Sequence, residues 1–543
     1  MHRPISLLAS ALLGLAGCGG SGGGSEPPPP PAPTPVSKAE AVQLLNQASF
    51  GYVEADAQQV IALDIEGWID NQIAQPASLQ LPFVESLPPP QFMFERHEDR
   101  VDIWFRNVVN GNDQLRQRVA FALSEILVVS QLGALQEAPY ALADYYDVLV
   151  RNAFGNYRTL MQEVTLHPAM GVYLSMLGNQ KPNPALNIRP DENYARELMQ
   201  LFSIGLVELN LDGTEKLDGF GQPVPTYDQA VIEGFAHVYT GWTWADSPNF
   251  EQARGTRQNQ VKPMELWPDY HDTGQKLLLN GTVLPAGQSG EQDLADALDN
   301  VFNHPNVGPF ISRQLIQRLV TSNPSPGYVS RVATVFNNNG SGVRGDLSAV
   351  VKAILMDPEA RPTMAMEIDG KVKEPLLRLT QLFRAYNATS GSGRYPLVAS
   401  YILFGQGPLQ SPSVFNFFSP FYAPPGEIRD SGLVAPELGI ATEYQNTLFT
   451  NYMFGQVFGL NQTNQNLQED DVYIDFSEEM LIAADADALI DRVAEKLLGG
   501  QISDSLRTEI GGMLALIPET DTVVRAAEVI YFVVTSPEYA LQR

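Results

Sequence analysis

Cysteine is all but absent from this chain: Cys18 is the only one in 543 residues. No intramolecular disulfide can form, and no metal cluster built on cysteine. Histidine is scarce too, at six residues. None stands in a HExxH or ExxH pattern, so the zincin and di-iron signatures are missing. Outside the Gly/Ser-rich run at 19–25 there is no GxSxG nucleophile elbow. Basic residues are few, 34 against 62 acidic ones, and the net charge is −28. Such a body repels phosphate backbones, which excludes nucleic acid as a natural partner. After the first fifteen residues no apolar run is long enough to span a bilayer. No alternating apolar pattern is long enough to build a sheet.

What is present begins at the N-terminus. Arg3 is the one fixed positive charge of a short leading segment, and residues 5–15 form an apolar run of secretory length. The run ends in Leu15-Ala16-Gly17-Cys18. That sequence resembles a lipobox, which implies cleavage after residue 17 and lipid on Cys18. A lone thiol in an oxidising compartment is a liability, and acylation removes it and with it any thiol catalysis. Residues 19–36 read GGSGGGSEPPPPPAPTPV, a flexible and then extended tether. Gly19 rather than aspartate follows the cysteine, which by resemblance to sorted lipoproteins favours the outer membrane. The expectation is an outer-membrane lipoprotein facing the periplasm or the cell surface, with its partner membrane reached through Cys18.

Helical spacing dominates the remainder. Apolar residues recur at three and four positions in 38–47, 56–74, 140–152, 157–166, 290–303, 307–321, 328–337, 346–356, 371–386, 435–454, 484–498 and 522–534. The segment QLRQRVAFALSEILVV (114–129) reads as a core helix, and 191–202 as a helix capped by Asp191. Segments 207–226, 243–290 and 388–432 are rich in Gly, Pro, Asp, Asn or Ser and read as long loops, a common place for function. The fold expected is all-α, a large multi-helix bundle with long irregular loops. Its parts are a signal peptide at 1–17, lipidated Cys18 with a tether at 18–37, a main helical domain at 38–365 and a C-terminal helical region at 366–543.

Six segments together carry a family resemblance: DENYARELMQLFSIGL (191–206), VYTGW (238–242), HDTGQK (271–276), HPNVGPFISRQLIQRLV (304–320), GSGVRGDLSAVVKAILMDPEAR (340–361) and SPSVFNFFSPFY (411–422). They resemble the bacterial family called domain of unknown function 1800. The resemblance implies an exported, mainly helical protein, often encoded beside a sulfatase-like partner, and brings no settled activity. There is one departure. Many members carry a Trp/His-rich run after the LRxR segment, whereas here Leu115-Arg116-Gln117-Arg118 is followed by no histidine.

Two sets of residues are candidates for chemistry. On the 191–202 helix, Asn193 and Glu197 are i,i+4 neighbours, as are Glu192 and Arg196. They read either as a polar site holding Asn193, Arg196 and Glu197 or as surface and loop bonds. His271-Asp272 stands in a loop with Gly274 and Lys276, and His304 opens a helix. An imidazole beside a carboxylate serves acid/base chemistry or binds metal. The candidate catalytic set is Glu197, His271 and Asp272. The candidate divalent-metal ligands are His271, Asp272 and His304, in an arrangement similar to HD phosphohydrolases but borne on loops. Glu163/His167 and Glu233/His237 read as hydrogen-bonded pairs on a helix face. Gly340-Ser341-Gly342-Val343-Arg344-Gly345 matches GxGxxG but follows a helix, so it reads as a turn. Trp244 and Trp267 offer aromatic faces for a glycan, with Trp242 in the core. Two functions remain open: a cell-envelope binding or assembly module whose partner is a sulfatase-like protein or a glycan, and a metal-dependent or acid/base hydrolase.

Overall fold

The computed structural model describes residues 35–361 and 370–542. Cys18, the expected signal peptide at 1–17, nearly all of the expected tether and the expected boundary at 365/366 lie outside them. From Val36 onward the described residues form one compact unit. Among the described residues the architecture is mainly helical, with strands only as three two-residue antiparallel ladders. These pair Trp242 with Leu266, Lys276 with Leu284 and Lys371 with Gln542. No described helix is long and apolar enough to cross a membrane.

The helices begin where the sequence supplies caps. Ser37 accepts the Glu40 N–H and Glu40 returns a bond to the Ser37 N–H, a reciprocal cap that opens Lys38–Ala48. Ser325, Asp346, Thr442, Asp485 and Ser503 open five later helices in the same way, each side chain accepting a first-turn N–H. One core cluster runs from Ala41 to Tyr539, and Val36 packs against its edge. Segments on both sides of 362–369 share that core.

Buried arginine is the other unifying feature. Helix ends leave carbonyls without partners, and a guanidinium offers five donors in a fixed fork. Arg525 gives hydrogen bonds of 2.9 Å to both Leu514 O and Ile517 O, closing the end of Asp504–Leu514. Arg384 reaches Gly51 O at 3.0 Å, Val109 O at 2.7 Å and the Asp56 carboxylate at 2.6 Å, tying three distant segments.

Two expected elements differ. The helix read over 114–129 stops at Ser124, and Glu125 is its C-terminal cap residue. There the Ile126 and Leu127 N–H groups both turn back to Leu123 O. Apolar spacing continues past this point because 126–129 are buried in the core in any conformation. The helix read over 191–202 is shorter, Asn193–Gln200, with Asp191 accepting the Asn193 N–H at 2.8 Å. The 207–226 segment is a meandering loop held by three isolated antiparallel bridges, Val207–Pro225, Leu209–Glu215 and Leu217–Pro223.

Candidate functional site

The residues singled out by sequence do not converge. His271 is buried, with Nδ1 2.9 Å from Thr240 O and Nε2 3.0 Å from Asp293 Oδ2. Lys276 is buried beside it, 2.6 Å from the same Asp293 oxygen, and it also donates to Asp272 O and Gly274 O. Asp272 turns the other way and meets His237 Nδ1 at 2.5 Å. That hydrogen bond, against the opposing cost of burial, holds the Asp272 carboxyl down at about 2. Hence His237 is not paired with Glu233, and His167 faces Asp144 at 3.3 Å instead of Glu163. The loop histidines and carboxylates form two neighbouring His–Asp pairs that pin 271–276 to the helices Gln229–Val238 and Gly290–Phe302.

His304 has its own surroundings. Its Nδ1 accepts the Asn306 N–H at 3.2 Å and its Nε2 lies 3.4 Å from Glu208. Burial lowers its pKa. Among the described residues no group of three His, Cys, Asp or Glu side chains is placed to hold a metal ion. The ligand set His271, Asp272 and His304 is thus not assembled, because each member faces a different partner: Asp293, His237 and Glu208. Glu197 is buried, and burial raises its pKa, whereas its neighbour Asn193 is exposed and Arg196 pairs with Glu192 at 2.9 Å. These three do not share one polar site. Trp244 is half-buried with Gly255 packed on its indole, and Trp242 is buried.

A different site stands out from the geometry. A cavity of about 480 Å³ opens between three segments. The helix Val307–Leu319 supplies Phe310, Arg313, Gln314 and Arg318, whose three- and four-residue spacing puts them on one face. Leu201, Ile204 and Leu206 form a second wall, continued by Leu209 and Glu215 of the meander. Phe415, Phe418 and Phe421 form the third, and Gln317 holds that wall to the helix through Pro420 O at 3.1 Å. Gly205 has φ +74°, and a Cβ there would meet the Phe310 ring at 2.9 Å, so the close approach of these walls requires glycine.

The floor is charged. Glu125, delivered by the early end of its helix, is sealed from solvent beside Arg318, which donates to Glu125 O at 2.9 Å. Gln406 Nε2 bridges two carboxyl groups, Glu125 at 3.2 Å and Glu374 at 2.6 Å. Asn416, left-handed at φ +65°, approaches Glu125 Oε1 at 3.4 Å. Behind them Lys371 lies 3.2 Å from Glu374, 3.1 Å from Glu437 and 2.9 Å from Arg318 O. Arg118 completes the set, 2.5 Å from the same Arg318 carbonyl. Burial, with the neighbouring Glu374 charge, pushes the Glu125 carboxyl well above the usual range. Burial also opposes ionisation of Glu374, but Lys371 and Arg118 outweigh it and hold that carboxyl low. Glu125 Oε2, Arg318 Nε, and Arg118 Nε and Nη1 are buried without a hydrogen-bond partner. Unpaired buried polar atoms of this kind call for a physical explanation.

This site can bind an apolar body over a polar floor, and it holds a carboxyl pair of unequal acidity. Sequence reasoning passed over it. Arg118 and Glu125 lie in a segment that reads as plain core helix, and Gln406, Glu374 and Glu437 stand in segments with no motif. The one available signal was that 191–206, 304–320 and 411–422, three segments carrying the family resemblance, are the three that line the cavity. No curated protein and no solved structure matches the chain. A family model described as a protein of unknown function, DUF1800, matches residues 43–541, and the chain belongs to that family.

Proposed function

We propose that the chain is an exported lipoprotein, anchored through lipid on Cys18, whose body is a binding module of the cell envelope with its ligand site in the cavity above Glu125. The lipobox-like run at 15–18 and the tether support the anchor, and Gly19 supports the outer membrane. The acidic body suits an exposed compartment. The sulfatase-like partner remains what the resemblance implies. The single observation that carries the ligand site is an apolar cavity of about 480 Å³ closed by a buried charged floor with unpaired donors. Ligand sites are concave, mostly apolar and fixed by a few polar groups.

An acid/base hydrolase is the second reading. It rests on the carboxyl pair Glu125–Glu374, and not on His271, Asp272, His304 and Glu197, which lie in separate surroundings.

The test is a fluorescence titration of the body from Pro35 onward with N-phenylnaphthylamine, an uncharged aromatic probe. Leu209→Trp, which fills the cavity from the meander side, should weaken binding at least about tenfold, equivalent to about 1.4 kcal/mol. His271→Asn and Trp244→Leu should leave it unchanged. Binding lost in those two variants and kept in Leu209→Trp would overturn the assignment.

A further inference from the structure

We infer that the cavity takes an organic anion with an apolar, ring-sized body, and that the anion binds the form of the protein that carries a proton on Glu125. This rests on the cavity being the ligand site and adds the charge class of the ligand.

The argument is a count of charges. Three carboxyl groups, Glu125, Glu374 and Glu437, meet three cations, Arg118, Arg318 and Lys371. Lys371 lies within 3.2 Å of Glu374 and 3.1 Å of Glu437. The nearest cationic nitrogen to the Glu125 carboxyl is Arg318 Nε at 3.7 Å, beyond hydrogen-bond reach. Glu125 and Glu374 are joined by one amide nitrogen, that of Gln406. Two carboxylates so close in a dry interior do not both hold a negative charge, and the pair titrates as a unit. The proton resides on Glu125, the member with the poorer cationic contacts. The floor then has three cations facing two carboxylates.

No other facing group restores the balance. Tyr146, near Arg118 and Glu125, is neutral because burial pushes its hydroxyl far above the usual range. Gln406 and Asn416 are uncharged. Arg313 in the wall stacks on Phe421 at 5.1 Å; burial lowers its pKa, and the charge of Glu215 opposes that shift. One positive charge therefore stays uncompensated at the floor, and Arg318 Nε has no acceptor. A buried unpaired charge is costly, so an anionic ligand group gains where it neutralises this one. The chain as a whole is strongly negative at −28. Small inorganic anions gain no apolar contact to offset that field, whereas an aromatic or branched aliphatic body does so against the phenylalanine wall.

If the anion binds only the form protonated at Glu125, its affinity falls about tenfold per pH unit above the titration of the pair. The experiment compares anilinonaphthalenesulfonate with N-phenylnaphthylamine, which shares its ring framework but has no charge. Both are titrated into the body from Pro35 onward across neutral and alkaline pH, and calorimetry in buffers of different ionisation enthalpy counts the protons exchanged. The expected result is anion binding that is flat with pH while Glu125 is protonated and weakens about tenfold per unit above the titration of the pair, with proton uptake there. The neutral probe should show no such slope. In Glu125→Gln the anion should bind with the slope gone. If that variant does not fold, proton uptake by the unaltered protein decides alone. Equal, pH-independent binding of both probes, or a slope that survives in Glu125→Gln, overturns the inference. Insensitivity of both probes to Leu209→Trp instead overturns the cavity as the ligand site.

Discussion

Glu125 and Glu374 share one amide nitrogen, yet they should respond in opposite ways to amidation. Glu125 is held neutral, so Glu125→Gln swaps one uncharged hydrogen-bonding group for another and should cost less than about 1 kcal/mol. Glu374 is a counter-charge of Lys371 and Arg118, so Glu374→Gln leaves the three buried cations of the floor with Glu437 alone and should cost about 3–5 kcal/mol. Urea unfolding of both variants at neutral pH checks the asymmetry, and equal costs would contradict it. His97 makes a separate prediction. Burial first, and then the nearby Arg100 charge, lowers its pKa to about 4 from 6.5. The unfolded chain thus binds the proton before the folded one does. The stability from neutral His97 is complete above pH 6.5 and is lost as pH falls through about 4. His97→Asn should flatten the pH dependence of stability in that window, by about 3 kcal/mol across it. Single residues were legible in sequence only as types. That Glu125 is a neutral acid depends on Glu374, Gln406 and Arg318, which lie far along the chain and carry no pattern of spacing that joins them.

At the scale of elements, periodicity was a good guide to where helices lie and a poor one to where they stop. The segment 114–129 keeps its apolar spacing to the end, but the helix ends at Ser124 and presents Glu125 at its turn. That early stop separates a core helix from the floor of a cavity. The loops behaved oppositely. Residues 271–276 have the residue types of a reactive loop, yet their charged groups are consumed in holding the loop down: Asp293 takes both His271 and Lys276, and His237 takes Asp272. The segment 201–209 was read as the tail of a helix and the start of a loop, and it forms a cavity wall. Gly205 makes that wall possible. Gly205→Ala adds a Cβ against Phe310 at a left-handed φ of +74°. It should destabilise the body by about 1–3 kcal/mol and weaken N-phenylnaphthylamine binding together with stability. Thermal unfolding and the same titration read both, and a variant of unchanged stability would contradict the packing described.

At the scale of the whole molecule, the chain combines a strong excess of acidic residues with a core that runs from Ala41 to Tyr539, and the lipidated tether is proposed. The mainly helical class was legible from composition and spacing because helix signals are local. The cavity was not, because it is made where 201–215, 310–318 and 414–421 meet. Lipid attachment predicts that the full chain expressed in a bacterium enters the detergent phase of a cloud-point partition and that Cys18→Ser moves it to the aqueous phase. Aqueous partition of the unaltered chain would contradict the anchor.

The central claim is that the cavity above Glu125, and not the histidine-bearing loop, is where this protein meets its ligand. Hydrogen exchange of the body from Pro35 onward, with and without saturating N-phenylnaphthylamine, tests it most directly. The account predicts slowed exchange confined to 200–215, 310–318 and 413–421, with 237–243 and 271–276 unchanged. Protection centred on 237–276, with the three cavity segments unaffected, would contradict it.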